Sequence, residues 1–494
     1  MPSWMTVFTV ILLYLGLSLT VGLCSGRATS RGTEGYIAGD RQLGFVSLYF
    51  IMGASIFSAF AFLGGPGWAY SRGAASFYII GYTSLGLVPL YFFGPKVAQL
   101  GRQFKYVTQA QLFAHRYKNP YISVTLAIIS LLAFVPYLTL QMQGAGYVFS
   151  VVTEGRLPQW AGAAVTYGVV LFYVCRRGVM GIAWTNMFQG LLMMALAWGL
   201  GLYLPYVLHG GIEAMFKELA ATSPDMIQAP GLDATGGSWS WGGYSSALAI
   251  SMFGFSVWPH YFMKIYTAEN IATLRKTVIF YPTFAFFLLP ILIIGFSGVL
   301  AFPNVAPADT ILPTIVTSLG LPAVVVGLFC AGALAASMSS GDAIVHAAAS
   351  ILVKDFYRVL FRPVLNDQDE TTLIKYLVVA IGAVAYFFAI NSEMSLVYLL
   401  LLSYGVIAQI APALIATLYW RRSTPTAVLA GLIVGSCVTL LWNLVPSLQW
   451  QEIHPGIWGL LANGLVLLVV SLNTTPMEKS HVDIFITSNK AEAL

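Results

Sequence analysis

The sequence predicts an all-α polytopic membrane protein, and three observations carry that prediction. Hydrophobic residues make up 58% of the 494 positions and charged residues only 9%, against about 25% charged residues in an ordinary soluble domain. Apolar segments of about 20 residues, the length that crosses a bilayer as a helix, recur along the whole chain. Most charged residues lie in the connections between those segments. We therefore expect one transmembrane domain that is embedded in a lipid bilayer.

Thirteen apolar segments are long enough to be read as membrane spans. They cover approximately residues 5–24, 43–63, 74–95, 121–150, 158–175, 184–208, 243–263, 277–301, 315–353, 373–391, 394–419, 424–444 and 455–472. Span 9 is longer than a bilayer needs, so we expect it to tilt or to protrude from the membrane. A single transmembrane domain is predicted to cover residues 1–473, and a polar cytoplasmic tail to cover residues 474–494.

Lysine and arginine predict the orientation of these spans. If the N-terminus is outside, nearly all basic residues fall in connections on one side, including Arg41, Lys96, Lys264 and Arg421; Arg72, Arg156 and Lys217 are the exceptions. The positive-inside rule makes that side cytoplasmic. We expect a plasma-membrane protein of the bacterial inner-membrane type with a cytoplasmic C-terminus. The net charge of +5 follows largely from this bias and needs no nucleic-acid partner.

Two of the predicted spans contain helix-breaking residues. Span 2 holds Gly53 and is followed by the run 64–67 (Gly-Gly-Pro-Gly), and span 7 holds Gly254 and Pro259. The broken spans are five apart and so have opposite topology, which is typical of transporters built from inverted repeats. We predict repeats over residues 43–208 and 243–419 (spans 2–6 and 7–11), with one extra N-terminal and two extra C-terminal helices. The alternative is that each break is an ordinary kink.

Five segments together resemble the sodium:solute symporter family, over about residues 30 to 420. In order they read "TEGYIAGDRQLG", "GASIFSAF", "GIAWTNMFQG", "VWPHYFMKIYTA" and "AASMSSGDAIVHAAASILVKDFY". The resemblance implies a leucine-transporter-type fold and transport of a small organic solute that is coupled to Na+. It implies no enzyme activity and no obligate protein partner.

A sodium site is the first functional prediction. A dehydrated sodium ion takes about five or six oxygen ligands, which hydroxyls and free carbonyls at a helix break supply. Ser339 and Ser340 offer two hydroxyls, and Ala336 offers a carbonyl one turn earlier. The resemblance adds the carbonyls of Ala54 and Phe57. The alternative is that these serines bond only to carbonyls of their own helix.

Asp342 and His346 share a helix face with Ser339. A carboxylate inside the membrane costs about 2.5–3.5 kcal/mol on insertion scales, so it is a functional candidate by default. Asp342 either draws sodium along its exit path, carries a proton, holds a basic residue, or is a structural carboxylate satisfied by neighbouring helices. For His346 a structural role is favoured.

Two departures from the family pattern affect the expected number of sodium ions per substrate molecule. Asn186 stands where many relatives have an acid, and Ile56 stands where proline-transporting relatives have one. A second sodium site with a carboxylate ligand is therefore not expected. One sodium per substrate is the simpler reading, and proton coupling through Asp342 is the alternative.

The substrate site is predicted around the two breaks. No lysine or arginine lies clearly at mid-membrane, so a substrate carboxylate would be held by half-helix N-termini and side-chain dipoles. The candidate contacts are Ser55, Ser58, Tyr137, Gln141, Gln143, Phe255 and Trp258. The surrounding segments resemble the branch of the family that moves monocarboxylates (pyruvate or lactate) and small amino acids. Proline, pantothenate and sugars are alternative solutes, and Tyr137 and the two glutamines are alternatively interhelical hydrogen bonds.

Other function classes fit the sequence less well. There is no phosphate-binding loop of the type G-x-x-x-x-G-K-[ST], which a primary pump needs. The six histidines are scattered and the spans hold almost no acid, which disfavours a membrane enzyme. A channel or a transporter-like sensor of the same fold remains the alternative from another class.

Overall fold

The computed structural model describes residues 4–25, 32–361, 365–448, 450 and 452–487. In these ranges the chain is helical, and β pairing is limited to two isolated bridges, Leu43 with Ala268 and Leu232 with Ser238. The helices that matter below are α1 (Trp4–Cys24), α2 (Phe45–Ala54), α3 (Gly65–Arg72), α4 (Tyr78–Leu85), α5 (Val88–Phe104), α6 (Gln109–Tyr117), α7 (Pro120–Val152), α8 (Gln159–His209), α9 (Trp241–Val257), α10 (Pro259–Ile265), α11 (Ile271–Phe280), α12 (Leu288–Ala301), α13 (Ile311–Ser318), α14 (Ala323–Ile351), α15 (Asp367–Asn391), α16 (Leu396–Ile407), α17 (Ile410–Tyr419), α18 (Pro425–Leu444), α19 (Pro455–Asn473) and α20 (Lys479–Ile486). Ten continuous helical stretches of the described chain are long and apolar enough to cross a bilayer. The count of thirteen spans stays a prediction.

Helix α8 covers two predicted spans, 158–175 and 184–208. Its 51 residues would extend about 75 Å if straight, far more than the ~30 Å of a hydrocarbon core. Gly178 has φ 56° and ψ −142°, so two helical segments meet there. A Cβ at this position would lie 2.4 Å from the carbonyl oxygen of Tyr36. Glycine therefore permits both the left-handed backbone and the close approach.

The prediction of one long span over residues 315–353 is wrong. Helix α13 ends at Ser318, and the chain turns at Gly320 with φ 64° before α14 begins at Ala323. Hydropathy does not detect this turn because the residues around it are apolar. Gly320 and Pro322 are the local signal, since glycine adopts positive φ freely and proline favours the start of a helix.

The break in span 2 falls directly after Gly53, as that glycine indicates, and not at the run 64–67. Helix α2 ends at Ala54, and regular helix resumes near Ala59 as a π-type turn, Phe60–Gly64, that runs directly into α3. The glycines at 64–67 therefore lie inside the second half-helix, which continues to Arg72. They serve close packing: a Cβ on Gly67 would lie 2.8 Å from the carboxylate of Asp309.

Span 7 breaks at its proline, as the sequence indicates. Helix α9 ends at Val257, Trp258 has ψ 124°, and α10 starts with Pro259. A residue before proline avoids the helical region, because the proline ring collides with its backbone. The break is thus encoded locally.

Helix α14 is the central element of the structure. It packs against α1, α7 and α8, and every residue from Phe329 to Ile351 is buried. Connections predicted to be cytoplasmic meet at one end of the molecule, where Arg41 donates hydrogen bonds to the carbonyls of Tyr106 (2.8 Å) and Tyr266 (3.2 Å). The C-terminal helix α20 docks at this end, and Lys96 donates to the carbonyl of Ile486 (2.8 Å).

Candidate functional site

The first break presents carbonyl oxygens to the two adjacent serines of α14. Ser339 Oγ donates to the Ala54 carbonyl at 2.9 Å and lies 3.1 Å from the Ala336 carbonyl of its own helix. Ser340 Oγ donates to the Ser55 carbonyl at 2.7 Å. Ala54 is the last residue of α2 and Ser55 follows it, so no further helical turn donates hydrogen bonds to their carbonyls. The structure therefore brings four of the five predicted sodium ligands together; Phe57, the fifth, lies in the same break.

A polar network surrounds the Ser55 side chain. Ser55 Oγ lies 2.5 Å from the Ile51 carbonyl and 3.1 Å from Asn186 Nδ2, which donates to it. Asn186 thus reaches the broken turn from α8. The neighbouring Ile56 is buried and apolar.

The other half of the first break is capped from α7. Gln141 Oε1 accepts a hydrogen bond from the backbone N–H of Ala59 at 2.9 Å, and Ser58 Oγ accepts one from the N–H of Phe60 at 3.2 Å. Both donors are orphan amides at the start of a half-helix. Gln143 is not part of this group: its Nε2 donates to the Ser392 carbonyl at 2.6 Å.

The second break is lined by aromatic side chains. Trp258 lies with its ring centroid 5.0 Å from that of Tyr137, and Phe255 stacks on Tyr261 at 5.4 Å. The Tyr137 side chain lies near Ser58, Ser340 and Tyr261. Tyr137 therefore joins the aromatic group to the first break and to the serine pair of α14.

The predicted position of Lys264 in a cytoplasmic connection is wrong. Lys264 lies in half-helix α10 and is 4% exposed. Its Nζ donates to the Ile51 carbonyl at 2.7 Å and to Ser55 Oγ at 2.6 Å. In the hydropathy pattern, the charge of Lys264 marks the end of span 7. Pro259, which marks the break, is also the local signal for Lys264, because a helix that starts there carries Lys264 in its second turn.

Asp342 and His346 are buried on the same face of α14. Tyr173 donates to Asp342 Oδ2 at 2.7 Å and Thr185 at 3.3 Å, while Asp342 Oδ1 has no hydrogen bond in the described part of the chain. His346 Nε2 lies 3.1 Å from the Tyr36 carbonyl, and its ring is tilted against that of Tyr36. This tethering of His346 is consistent with a structural role.

Sequence reasoning missed two further residues of the site. Gln109, on α6, donates through Nε2 to the Val257 carbonyl at 3.1 Å and so satisfies an acceptor at the second break. His260 lies against Phe134, Tyr137 and Trp258, and neither of its ring nitrogens has a hydrogen bond among the described residues. Gln109 lies in a connection, far in sequence from the break, so no local pattern indicates its contact.

The structure contains two interrupted helices. Free carbonyls face hydroxyls at one break, and aromatic rings line the other. This arrangement defines a cation-coupled secondary transporter. Groups of three or more His, Cys, Asp or Glu that could hold a metal ion are not found in the described ranges. The chain belongs to the sodium:solute symporter family, which matches residues 36–435, and sodium is its coupling ion.

Similar proteins span nearly the whole chain. An uncharacterized symporter, YhjB, of Bacillus subtilis (strain 168) is 30% identical over 97% of this chain and 98% of its own. A sodium/pantothenate symporter of Haemophilus influenzae is 26% identical over 87% of this chain and 89% of its own. A substrate-bound, outward-open Na+-coupled sialic acid symporter has the same fold, with a TM-score of 0.79 and 17% identity over 96% of this chain and 98% of its own. The fold is of the leucine-transporter type.

Proposed function

We propose that the protein carries a small carboxylate into the cell together with one sodium ion, by alternating access. The observation that carries this proposal is the pair of hydrogen bonds from Ser339 and Ser340 to the Ala54 and Ser55 carbonyls. They bring the hydroxyls of α14 into direct contact with the oxygens of a broken helix. We propose the ligand set Ala54, Phe57, Ala336, Ser339 and Ser340, with a predicted outside N-terminus and cytoplasmic C-terminus.

The donor set suits sodium. Hydroxyl and carbonyl oxygens are hard ligands without formal charge, and they are what hard cations prefer. Each serine hydroxyl now donates its proton to a carbonyl; with an ion present, its lone pairs face the ion and the proton turns away. Because the carbonyls belong to α2 and the hydroxyls to α14, a bound ion would tie these two helices together. When the ion leaves, α2 and α14 can separate, and the substrate site opens to the cytoplasm.

A carboxylate substrate fits the polar groups between the two breaks. Gln141 Nε2 and Trp258 Nε1 are buried donors that have no hydrogen bond in the described part of the chain. Ser58 and Tyr137 lie beside them, and the half-helix that begins near Ala59 directs its N-terminal dipole to the same region. Pantothenate and sialic acid, named for two similar proteins, are both carboxylates. We propose a monocarboxylate such as pyruvate or lactate, or a small amino acid, as the solute.

The sodium site is tested by Ser339→Ala combined with Ser340→Ala in proteoliposomes. We expect the double variant to reach the membrane and to lose sodium stimulation of uptake. Ser350→Ala is the matched control, because Ser350 lies on the same helix and, among the described residues, its hydroxyl bonds only to the His346 carbonyl of that helix. Ordinary sodium dependence in the double variant would contradict the proposed site. Current without saturation or sodium coupling in the wild type would instead identify a channel.

The substrate is identified by thermal unfolding of the purified protein. Small carboxylates, amino acids, vitamins and sugars are each added with sodium and, at equal ionic strength, with choline. A ligand that binds the folded state raises the unfolding temperature by mass action. We expect the largest shift for a small carboxylate, and only in sodium. A shift that depends on pH and not on sodium would indicate proton coupling.

A further inference from the structure

A buried lysine shares the broken turn with the proposed sodium ligands. The ammonium of Lys264 donates to Ser55 Oγ, while the carbonyl of the same Ser55 accepts from Ser340. Its second hydrogen bond goes to the Ile51 carbonyl. The Lys264 ammonium therefore compensates the partial negative charge of the Ile51 carbonyl and the Ser55 hydroxyl. These oxygens lie next to the Ala54 and Ser55 carbonyls, which face α14.

Two cations cannot both be well accommodated on this turn. Inside a protein the repulsion between neighbouring unit charges is several-fold larger than in water, since less solvent screens it. A sodium ion held by Ser339, Ser340 and the Ala54 carbonyl would lie beside the Lys264 ammonium. Its binding therefore favours movement of Lys264 away from Ile51 and Ser55.

The structure also offers a second partner for the ammonium. Asp342 lies on α14, which contacts α10, and its chain neighbour Ala343 lines the same small cavity as Lys264. One of the Asp342 carboxylate oxygens has no hydrogen bond in the described residues. A cavity of about 20 Å³, the size of one water molecule, lies beside Lys264. His260 and His346 line this cavity, and the ring of Tyr261 lies 5.0 Å from Nζ.

We propose that Lys264 is a tethered cation that competes with sodium for the turn 51–55 and passes to Asp342 when sodium binds. Because Lys264 belongs to α10, this exchange would move a contact of the second broken span from α2 to α14. Sodium binding at one break is thereby transmitted to the other break, where the aromatic part of the substrate site lies. The inference rests on the proposed sodium site.

The test measures sodium binding and not transport. Purified full-length protein in detergent is titrated with sodium chloride, balanced by choline chloride and without substrate, and thermal unfolding gives the apparent sodium affinity. We expect Lys264→Met to bind sodium about ten-fold more tightly than the wild type, since the competing charge is gone. Asp342→Asn should bind it several-fold more weakly, because the alternative partner of the ammonium is lost.

Two further variants separate charge from packing. Ser55→Ala removes one acceptor of Lys264 but keeps the backbone carbonyl, so it should also tighten sodium binding; it serves if Lys264→Met does not fold. Lys276→Met is the matched control, because the exposed Lys276 lies over the ring of Phe45 on α2, away from the break, and it should leave sodium affinity unchanged. Unchanged or weaker sodium binding in both Lys264→Met and Ser55→Ala would overturn the inference. A wild-type protein that is indifferent to sodium would overturn the proposed site itself, and this inference with it.

Discussion

The side-chain oxygen of Gln141 accepts a hydrogen bond from the backbone N–H of Ala59 at 2.9 Å. This contact joins the middle of α7 to the start of the second half-helix of the first break. It replaces a helical partner that Ala59 lacks, since Ser55 and its neighbours are not helical. The same side chain keeps its Nε2 donor free among the described residues, so one glutamine both caps the break and faces the proposed substrate site.

Gln141→Glu should separate these two functions. The carboxylate still accepts from Ala59, so sodium binding and folding should persist, but its charge repels a substrate carboxylate. We expect the half-saturating substrate concentration to rise at least about ten-fold, as for loss of a hydrogen bond to a charged group. Uptake kinetics and sodium-dependent unfolding measure the two effects. Gln143→Glu is the control: Gln143 bonds to the Ser392 carbonyl, and an equal loss of substrate affinity there would contradict the assignment.

Trp258→Phe removes an N–H donor and keeps an aromatic ring against Tyr137. If Trp258 Nε1 binds the substrate carboxylate, the half-saturating substrate concentration should rise about ten-fold or more. Sodium binding without substrate should not change, because Trp258 lies at the other break. The exposed Trp184 provides a control, Trp184→Phe. Unchanged substrate kinetics in Trp258→Phe would show that only its ring matters.

Gly53→Ala should disturb the first break through packing alone. A Cβ on Gly53 would lie 2.3 Å from the ring of Phe284, so the helices must separate. Overpacking of this kind costs about 1–3 kcal/mol, and we expect a lower unfolding temperature and weaker sodium binding. Gly16→Ala, in α1, meets no atom of the described residues within 4 Å and should be neutral. Normal sodium binding in Gly53→Ala would mean that the break tolerates a shift of α2.

Features with a local cause could be predicted from the sequence. The polytopic helical fold follows from composition, and the second break follows from Pro259, which restricts its own neighbour. The serine pair was found because two hydroxyls in an apolar helix stand out. Each of these signals lies within one short stretch of chain.

Features that depend on partners far away in the sequence could not be predicted from it. Gly53 marks the first break and the run 64–67 does not: residues 55–58 leave the helix, where Gln141 and the α14 serines satisfy the freed backbone groups. Lys264 was assigned to a connection because hydropathy treats charge as a boundary, whereas carbonyl and hydroxyl partners on α2 allow its burial. These contacts join residues more than 80 positions apart, and no window along one sequence reports them.

The C-terminal helix α20 is docked through groups that include two histidines. Phe485 is fully buried, its ring lies 5.2 Å from that of His115 on α6, and His481 Nε2 lies 3.0 Å from the His115 carbonyl. Burial lowers the pKa of His115, and the neighbouring His481 and Lys118 lower it further. The hydroxyl of Tyr106 and Nδ1 of His115 form a hydrogen bond.

Docking of α20 should therefore weaken in acid. A group whose pKa is lowered by docking binds fewer protons when docked, so its contribution is present above its ordinary pKa of about 6.5 and is lost as pH falls below it. We expect hydrogen-exchange protection factors of residues 479–486 to be lower at pH 5.5 than at pH 7.5, and the difference to shrink in His115→Gln. Phe485→Ala should remove the protection at both pH values, because loss of a buried phenylalanine costs about 3–5 kcal/mol. Equal protection at both pH values in the wild type would contradict the role of His115.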